Sequence, residues 1–449
     1  MRQNDFENTP MLKLVMGLAI PSMIAQFVNI LYSIVDRMFV GQIEEVGNVC
    51  LAAVGICGPI VTLLSSFGTL VGIGGSIWLS MCLGQKNEKR ASQILYNSFV
   101  MLVVLSICLT LGFILLKHNL IYWFGGSDAL YPYANTYLTI YTLGTFFALM
   151  SIGLNYFITG QGYATIAMLS VCIGAITNIM FDFILIRTLK IGVAGAAIGT
   201  VVAQFISCMF VLCFLRFKSK IKLHKEELSI EKMKHIVKLG FSPFLIIASD
   251  SIILIVMNMM LQKYGGDMGD IYISAITVAQ SYFLLITGPL LGISSGTQPI
   301  FAYHFGSQNL KKIKEAFKIV ISFAFLFCLV MFIISMCYSN VFVAMFTNDA
   351  MTMPIADRAI KIFCLGILMM SIQYVLVDGI TGLSNVKLSL FLSLNRKLMY
   401  LGCTCLLPAF LGVSNIFYAQ PTADIYASIA TIICFIKIIP SYLKSHGVK

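Results

Sequence analysis

The chain has 449 residues, 59% hydrophobic and only 11% charged, with a mean hydropathy of +0.91. A soluble domain carries about 25% charged residues, and one core stops growing near roughly 250–300 residues, so this apolar surplus does not fit a water-soluble interior. Disorder, a disulfide-rich secreted domain and an ordinary cytosolic enzyme are excluded as descriptions of the whole, which leaves a polytopic membrane protein.

Twelve apolar stretches follow in chain order, near 13–40, 51–83, 93–116, 132–158, 163–187, 192–216, 236–262, 272–305, 316–346, 355–381, 386–408 and 416–440. Each exceeds the ~20 residues a spanning helix needs. Backbone polar groups must be satisfied within lipid, so helices are forced. The alternation of a membrane β-barrel is absent. Ahead of the first stretch, Met1 to Pro10 carries Asp5 and Glu7 and no basic run, and Pro21 lies inside the stretch itself. It reads as a membrane helix rather than a cleavable signal.

The formal charge is +11, from 30 Lys+Arg against 19 Asp+Glu. In a membrane chain this excess belongs to cytoplasmic loops, so no nucleic-acid partner is expected. Lys86, Lys89 and Arg90 follow the second stretch. Eight bases between Arg216 and Lys238 follow the sixth, and Lys311, Lys312, Lys314 and Lys318 follow the eighth. All fall on one side if both termini are cytoplasmic. Lys117, Arg187, Lys190, Lys263 and Arg358 are the exceptions, and the first opposite loop offers only Glu44 and Glu45.

The halves look duplicated. A shift of 222 residues superposes Pro21 on Pro243, Pro132 on Pro354, and Asn87 on Asn309. It also superposes five glycine pairs, among them Gly74 with Gly296, Gly84 with Gly306, Gly144 with Gly366 and Gly160 with Gly382. Chance gives about one such pair. Six helices per copy is an even number, so both copies share one orientation, as in transporters built from parallel repeats. The expected division is 1–217 for the first lobe, 218–234 for a basic cytoplasmic linker and 235–449 for the second lobe.

Five acids fall inside the expected spans: Asp36, Asp182, Asp250, Asp378 and Asp424. Charges there are expensive, by at least about 2.5–3.5 kcal/mol. Each has a plain alternative as a snorkelling or paired charge; Arg37 adjoins Asp36, and Asp424 follows Pro421 without pointing either way. Tyr32 and Asp36 are four residues apart, as are Asn178 and Asp182, so each pair shares a helix face. Carboxylate, amide and hydroxyl oxygens suit a hard cation; the same carboxylates can instead exchange a proton. The glycines of Gly68–Gly75, Gly288–Gly296 and Gly192–Gly199 read first as close helix packing, with a hinge as the alternative. The thirteen Cys, without a CxxC, read as small buried hydrophobes. No GxxxxGK[ST], HExxH, GxSxG or TVGYG occurs, so neither an ATPase, a hydrolase nor a potassium filter is indicated.

The order of these features resembles the multidrug and toxic compound extrusion (MATE) family along nearly the whole chain. The residues that carry it are Pro21 with Val35-Asp36-Arg37-Met38-Phe39-Val40-Gly41, Leu83-Gly84-Gln85-Lys86-Asn87, Leu154-Asn155-Tyr156-Phe157 with Gly160-Gln161-Gly162, Thr177-Asn178-Ile179-Met180-Phe181-Asp182, Gly195 to Thr200, Gly240-Phe241-Ser242-Pro243 and Gln298-Pro299-Ile300. The resemblance implies an all-α membrane protein of 12 transmembrane helices in two six-helix lobes around a central cavity, working by alternating access. It places a cation site at Asp36, Asn178, Asp182 and Thr200, with Tyr32, Tyr137 and Asn155 around it. It places secondary second-lobe acids at Asp250 and Asp378. Phe183 stands where many relatives have proline, which implies an altered kink.

The expected function is secondary antiport at the inner (plasma) membrane: lipophilic organic cations leave as Na+ or H+ enters. Asp36, Asn178, Asp182 and Thr200 would hold Na+ if Na+ is the ion. No cofactor beyond the coupling ion, no partner beyond substrate and lipid, and a monomer are expected. The rivals are a lipid-linked oligosaccharide flippase of the same superfamily, which would need cavity cations such as Arg37, Arg396 and Lys397, a membrane enzyme, and a channel.

Overall fold

The computed structural model describes residues 4–448 apart from 45, 125 and 345–350, with backbone only at 48, 248, 251, 252, 254, 255, 258, 267, 269 and 270. Glu45 therefore lies outside the described residues. Among those described, the chain is helical with no strand.

Helix α1 (Met11–Gly41) contains Pro21. α2 (Gly47–Gly84) precedes α3 (Glu88–Trp123), which starts where the Asn87 side chain accepts the Arg90 N–H, with Glu88 in the first turn. Such a cap satisfies an orphan amide, and the acid complements the helix dipole. α4 (Tyr131–Leu143) and α5 (Thr145–Gly160) are long and apolar enough for a span only together, and they meet at Gly144 with a bend of 56°. α6 (Ala164–Asp182) passes directly into a π-helical turn, Phe183–Thr188. The Leu189 N–H donates to Ile184 O at 2.8 Å, the i to i+5 spacing of a π turn, so the helix widens after Asp182 without a proline and runs on as one 25-residue segment, Ala164–Thr188. α7 (Val193–Phe217), α8 (Ile230–Gly265, with Pro243 inside), α9 (Gly269–Gly306) and α10 (Leu310–Ala344) follow. α11 (Thr352–Phe363) and α12 (Ile367–Gly382) are joined by a 3-10 turn ending at Gly366. α13 (Val386–Leu411) and α14 (Ala419–Ser445) close the chain.

These elements cover the twelve apolar stretches, an order consistent with the twelve expected spans. Among the described residues nine helices are long and apolar enough to cross a membrane, and the bent α4–α5 pair makes ten. The other two stretches, α8 and α13, are those that carry Asp250 and the Arg396-Lys397 doublet.

The duplication reappears as matched helix ends. Gly84 and Gly306 end α2 and α9, Gly160 and Gly382 end α5 and α12, and Gly144 and Gly366 mark the two mid-span breaks. Asn309 accepts the Lys312 N–H at 3.0 Å as Asn87 accepts that of Arg90. Lys86 and Gln308 both adopt positive φ (57° and 55°), as do Gly162 and Ser384 (88° and 64°). Non-glycine residues seldom do so. Each pair stands 222 residues apart in the same tight turn, so the turn geometry was copied with the helices.

The chain divides into two compact units. One comprises Met1–Asn8 and Ile24–Ala248, the other Thr9–Met23 and Ser249–Lys449. The changeovers within α1 and α8 come shortly after Pro21 and Pro243, where a helix has lost a backbone bond. In the first unit α2 packs on α3, α4 and α5, and α6 pairs with α7. The first half of α8 lies against α2 so closely that a Cβ on Gly240 would come within 1.8 Å of Leu70 O, and one on Gly74 within 2.2 Å of Ile236 O. In the second unit α9 packs on α10, α11 and α12, α13 pairs with α14, and the first half of α1 meets α9 at Gly292 and Gly296. These glycines serve close packing.

Gly240→Ala is accordingly expected to cost about 1–3 kcal/mol, the usual scale for overpacking. Gly112 and Gly402 face open space, so alanine there should be neutral or mildly stabilising. Thermal unfolding in detergent checks this contrast; equal melting points for Gly240→Ala and Gly112→Ala would refute it.

The hydrophilic segment ahead of α8 is extended but tied down. Gln161 donates to Ile221 O and accepts its N–H, while Asn97 donates to Glu227 O and accepts the Ser229 N–H. On the loops, Lys190 pairs with Glu44 at 2.8 Å and holds that carboxyl below its usual range by hydrogen bonding and charge. Among the described residues no disulfide forms; Cys108, Cys213 and Cys337 are exposed and the other thiols are buried or half-buried.

Candidate cation site

Asp36 lies near the end of α1 and Asp182 at the end of α6, and both are buried. Their carboxyls meet within hydrogen-bonding reach. No ion pair among the described residues joins either to a base, and the adjacent Arg37 side chain is exposed. Two ionised carboxylates in such contact repel strongly where the dielectric is low. A shared proton or a cation between them removes the repulsion.

Asn178 stands one turn before Asp182 and donates to Asp182 Oδ1 and to Thr200 Oγ1, both at 3.4 Å. Thr200 in turn donates to Ala196 O at 3.0 Å. The approach of α7 to α6 depends on Gly199, where a Cβ would lie 2.5 Å from Asp182 Oδ1. One glycine thus has a direct bearing on the site. Tyr32 and Tyr137 lie close enough to Asp36 to feel its charge.

Buried oxygens remain without a donor here: among the described residues no N–H or O–H of the protein reaches Asp36 Oδ1, Asp182 Oδ2 or Asn178 Oδ1. Buried polar groups are normally satisfied, so orphaned acceptors gathered about one carboxyl pair mark a place for a proton or a cation. All are hard oxygen donors of the kind Na+ takes.

Six of the seven expected residues thus gather in the first unit. Asn155 does not join them by any hydrogen bond. It donates to Ala167 O at 3.2 Å, and Ala167 lies about three helical turns before Asn178 on α6. Three further residues extend the cluster: Tyr141 meets Ser65 Oγ at 3.4 Å and accepts from Gln204 Nε2 at 3.1 Å. Gln204 keeps an unpartnered Oε1. Their signal was the helical spacing itself, because Tyr141 follows Tyr137 and Gln204 follows Thr200 by four residues.

The acids of the second unit are placed differently. Asp424, fully buried, accepts from Arg396 Nη1 at 2.7 Å and Gln420 Nε2 at 2.8 Å. Asp250 is ion-paired with Lys397. Asp378 accepts from Ser294 Oγ at 2.5 Å and from Gln298, with no base bonded to it among the described residues. The two acids named as secondary candidates therefore sit in distinct settings, one countered by a lysine and one held by neutral donors.

The MatE family model matches residues 21–184 and 247–399. The chain is similar to multidrug export protein MepA of Staphylococcus haemolyticus, at 24% identity over 93% of this chain and 92% of that protein. It is similar to MepA of Staphylococcus saprophyticus at 23%, over 95% and 94%. Among solved structures it resembles a multidrug resistance MATE family transporter of the MOP superfamily in an outward-facing conformation, with a TM-score of 0.92, 22% identity and 99% of each chain covered. A MOP superfamily transporter from Pyrococcus furiosus gives a TM-score of 0.92, 22% identity and the same coverage. At such identity the structures establish the fold, while the family match covers more than half of the chain. A duplicated bundle of apolar helices, a buried carboxyl pair and this match lead to one conclusion: the chain belongs to the MatE family, as a multi-pass membrane transporter rather than an enzyme.

Proposed function

We propose that the protein is a secondary antiporter that exports lipophilic organic cations, drugs among them, across the plasma membrane in exchange for Na+ or H+ by alternating access. The observation that carries this reading is the Asp36–Asp182 contact with its orphaned oxygens. An ion bound there shifts the conformational equilibrium only by its differential affinity for the two states, so the site has to be remade between them. The π-helical turn directly after Asp182 is a place where such a change can occur. The multidrug-export names of the relatives support the substrate class. The flippase alternative needs free cations for a pyrophosphate; Arg396 and Lys397 are both countered by acids, which leaves Arg37 alone of the three named and weighs against it. A monomer with both termini cytoplasmic and no cofactor completes the proposal.

The test is ethidium efflux from proteoliposomes under an imposed Na+ or H+ gradient. Efflux driven by one gradient and absent without it is the expected result. Wild-type protein that moves no organic cation under either gradient would sink the reading.

A further inference from the structure

The second unit contains a neutral quartet of charges. α13 supplies two adjacent bases, Arg396 and Lys397; α14 supplies Asp424 and α8 supplies Asp250. The two pairs differ in kind. Asp424 is fully buried with both oxygens taken. Arg396 also reaches the Tyr374 hydroxyl at 3.4 Å and lies over that ring at 5.3 Å. The Asp250 side chain, by contrast, is 59% exposed, while that of Lys397 is 9% exposed and ends on Asp250 Oδ1. Among the described residues nothing is bonded to the second Asp250 oxygen. Among the described residues the other titratable groups around this quartet are Tyr374 on α12, with Asp378 one turn further, and Tyr400 on α13, whose hydroxyl meets Met257 Sδ of α8 at 3.9 Å.

We propose that Asp250 is the docking point for the cationic group of the exported substrate, and that Lys397 is a tethered cation which the substrate displaces with loss of its proton. The inference rests on the exporter reading above. Asp250 lies about 30 Å along α8 from its first residue, within a stretch expected to span the bilayer. An exposed charge at that depth facing hydrocarbon is costly, so its open side faces water, where a ligand can arrive. The carboxylate has acceptor capacity to spare.

Charge balance supplies the second step. The quartet holds two cations and two anions, so an organic cation that takes Asp250 leaves the Lys397 ammonium, 9% exposed, without its counter-charge. Arg396 cannot give up a proton, because guanidinium keeps its own in proteins. Lys397 can. Before the exchange the Asp250 carboxylate is paired with the Lys397 ammonium. Afterwards that carboxylate is paired with the organic cation, Lys397 is a neutral amine, and one proton has been released to water. Only an N–H bond breaks, and the electron pair stays on Lys397 Nζ. Substrate binding at this place then expels one proton without involving Asp36 or Asp182.

The test is calorimetric titration of the purified full-length protein with tetraphenylphosphonium, in two buffers of different ionisation enthalpy, which counts protons released. Wild type should release one more proton per bound probe than Lys397→Arg, which keeps the ion pair and so the fold but cannot deprotonate. Lys397→Arg should also bind more weakly, because its competitor is permanent, and Lys397→Met should bind at least as tightly as wild type with no such proton. Asp250→Asn should lose about tenfold or more in affinity, the scale of removing one opposite charge beside a bound cation. Any proton from the Asp36–Asp182 pair is common to wild type and Lys397→Arg and cancels. If the probe binds but Lys397→Arg releases as many protons as wild type, or Asp250→Asn binds equally well, this inference is overturned and the exporter reading stands. Wild type that binds no organic cation overturns both.

Discussion

Asp36→Asn and Asp182→Asn should each reduce gradient-driven ethidium efflux by about a hundredfold or more, and the double substitution should do no further damage. Asparagine keeps the size and most of the hydrogen bonding of aspartate but removes the charge and the exchangeable carboxyl proton. The two carboxyls lie within hydrogen-bonding reach of each other, and each has a buried oxygen that receives no protein donor among the described residues. Groups that act as a unit show strongly non-additive losses. A hundredfold corresponds to about 2.7 kcal/mol, well within what removing one member of a buried charge site costs. The measurement is initial efflux rate against gradient, with ethidium binding in the absence of a gradient as the control for folding. Full coupling in Asp182→Asn would move the ion site elsewhere, with Asp378 the next candidate because no base neutralises it among the described residues.

Arg396→Ala should be the most destabilising single substitution in the second unit, by about 3–5 kcal/mol. It strands the carboxylate of Asp424, which is 0% exposed, and leaves Gln420 as its remaining side-chain hydrogen-bond donor among the described residues. The neighbouring base offers the contrast. Lys397→Met frees Asp250, but that side chain is 59% exposed and water can solvate it, so the cost should be about 1 kcal/mol or less. Adjacent residues on one helix thus differ severalfold in effect, for a reason that lies in their partners. Arg396→Met combined with Asp424→Leu should regain most of the loss, because a buried ion pair replaced by apolar residues of similar volume is often neutral. Thermal unfolding in detergent decides it: an Arg396→Ala melting point equal to that of Lys397→Met would remove the case for a buried structural pair.

Much of this molecule is legible before any coordinates exist. Span number, helix ends and the duplication follow from local rules, because a bilayer dictates apolar length and closed backbone bonding, and because Asn87, Asn309, Gly160 and Gly382 act through caps and turns in their own neighbourhood. The pairing of Asn178 with Asp182 is visible in spacing, and the remainder of the first-unit cluster follows from family resemblance. Tyr141 and Gln204 were within reach of the same spacing rule.

What the chain cannot announce is which distant residues meet. Asp250 and Lys397 are 147 positions apart and Asp424 and Arg396 are 28 apart, and nothing in either neighbourhood names the partner. The five acids of the spans look alike in sequence, yet packing sorts them into a carboxyl pair, two ion pairs of unequal exposure and one acid held by neutral donors. Likewise Asn155 bonds to the backbone at Ala167 rather than to the carboxyl pair, a long-range placement that no local spacing reveals. Apolar periodicity and caps are short-range and survive in one dimension. Charge pairing is long-range, and it is settled only when close-packed helices, here held at Gly74, Gly199 and Gly240, fix which side chains share a space closed to water.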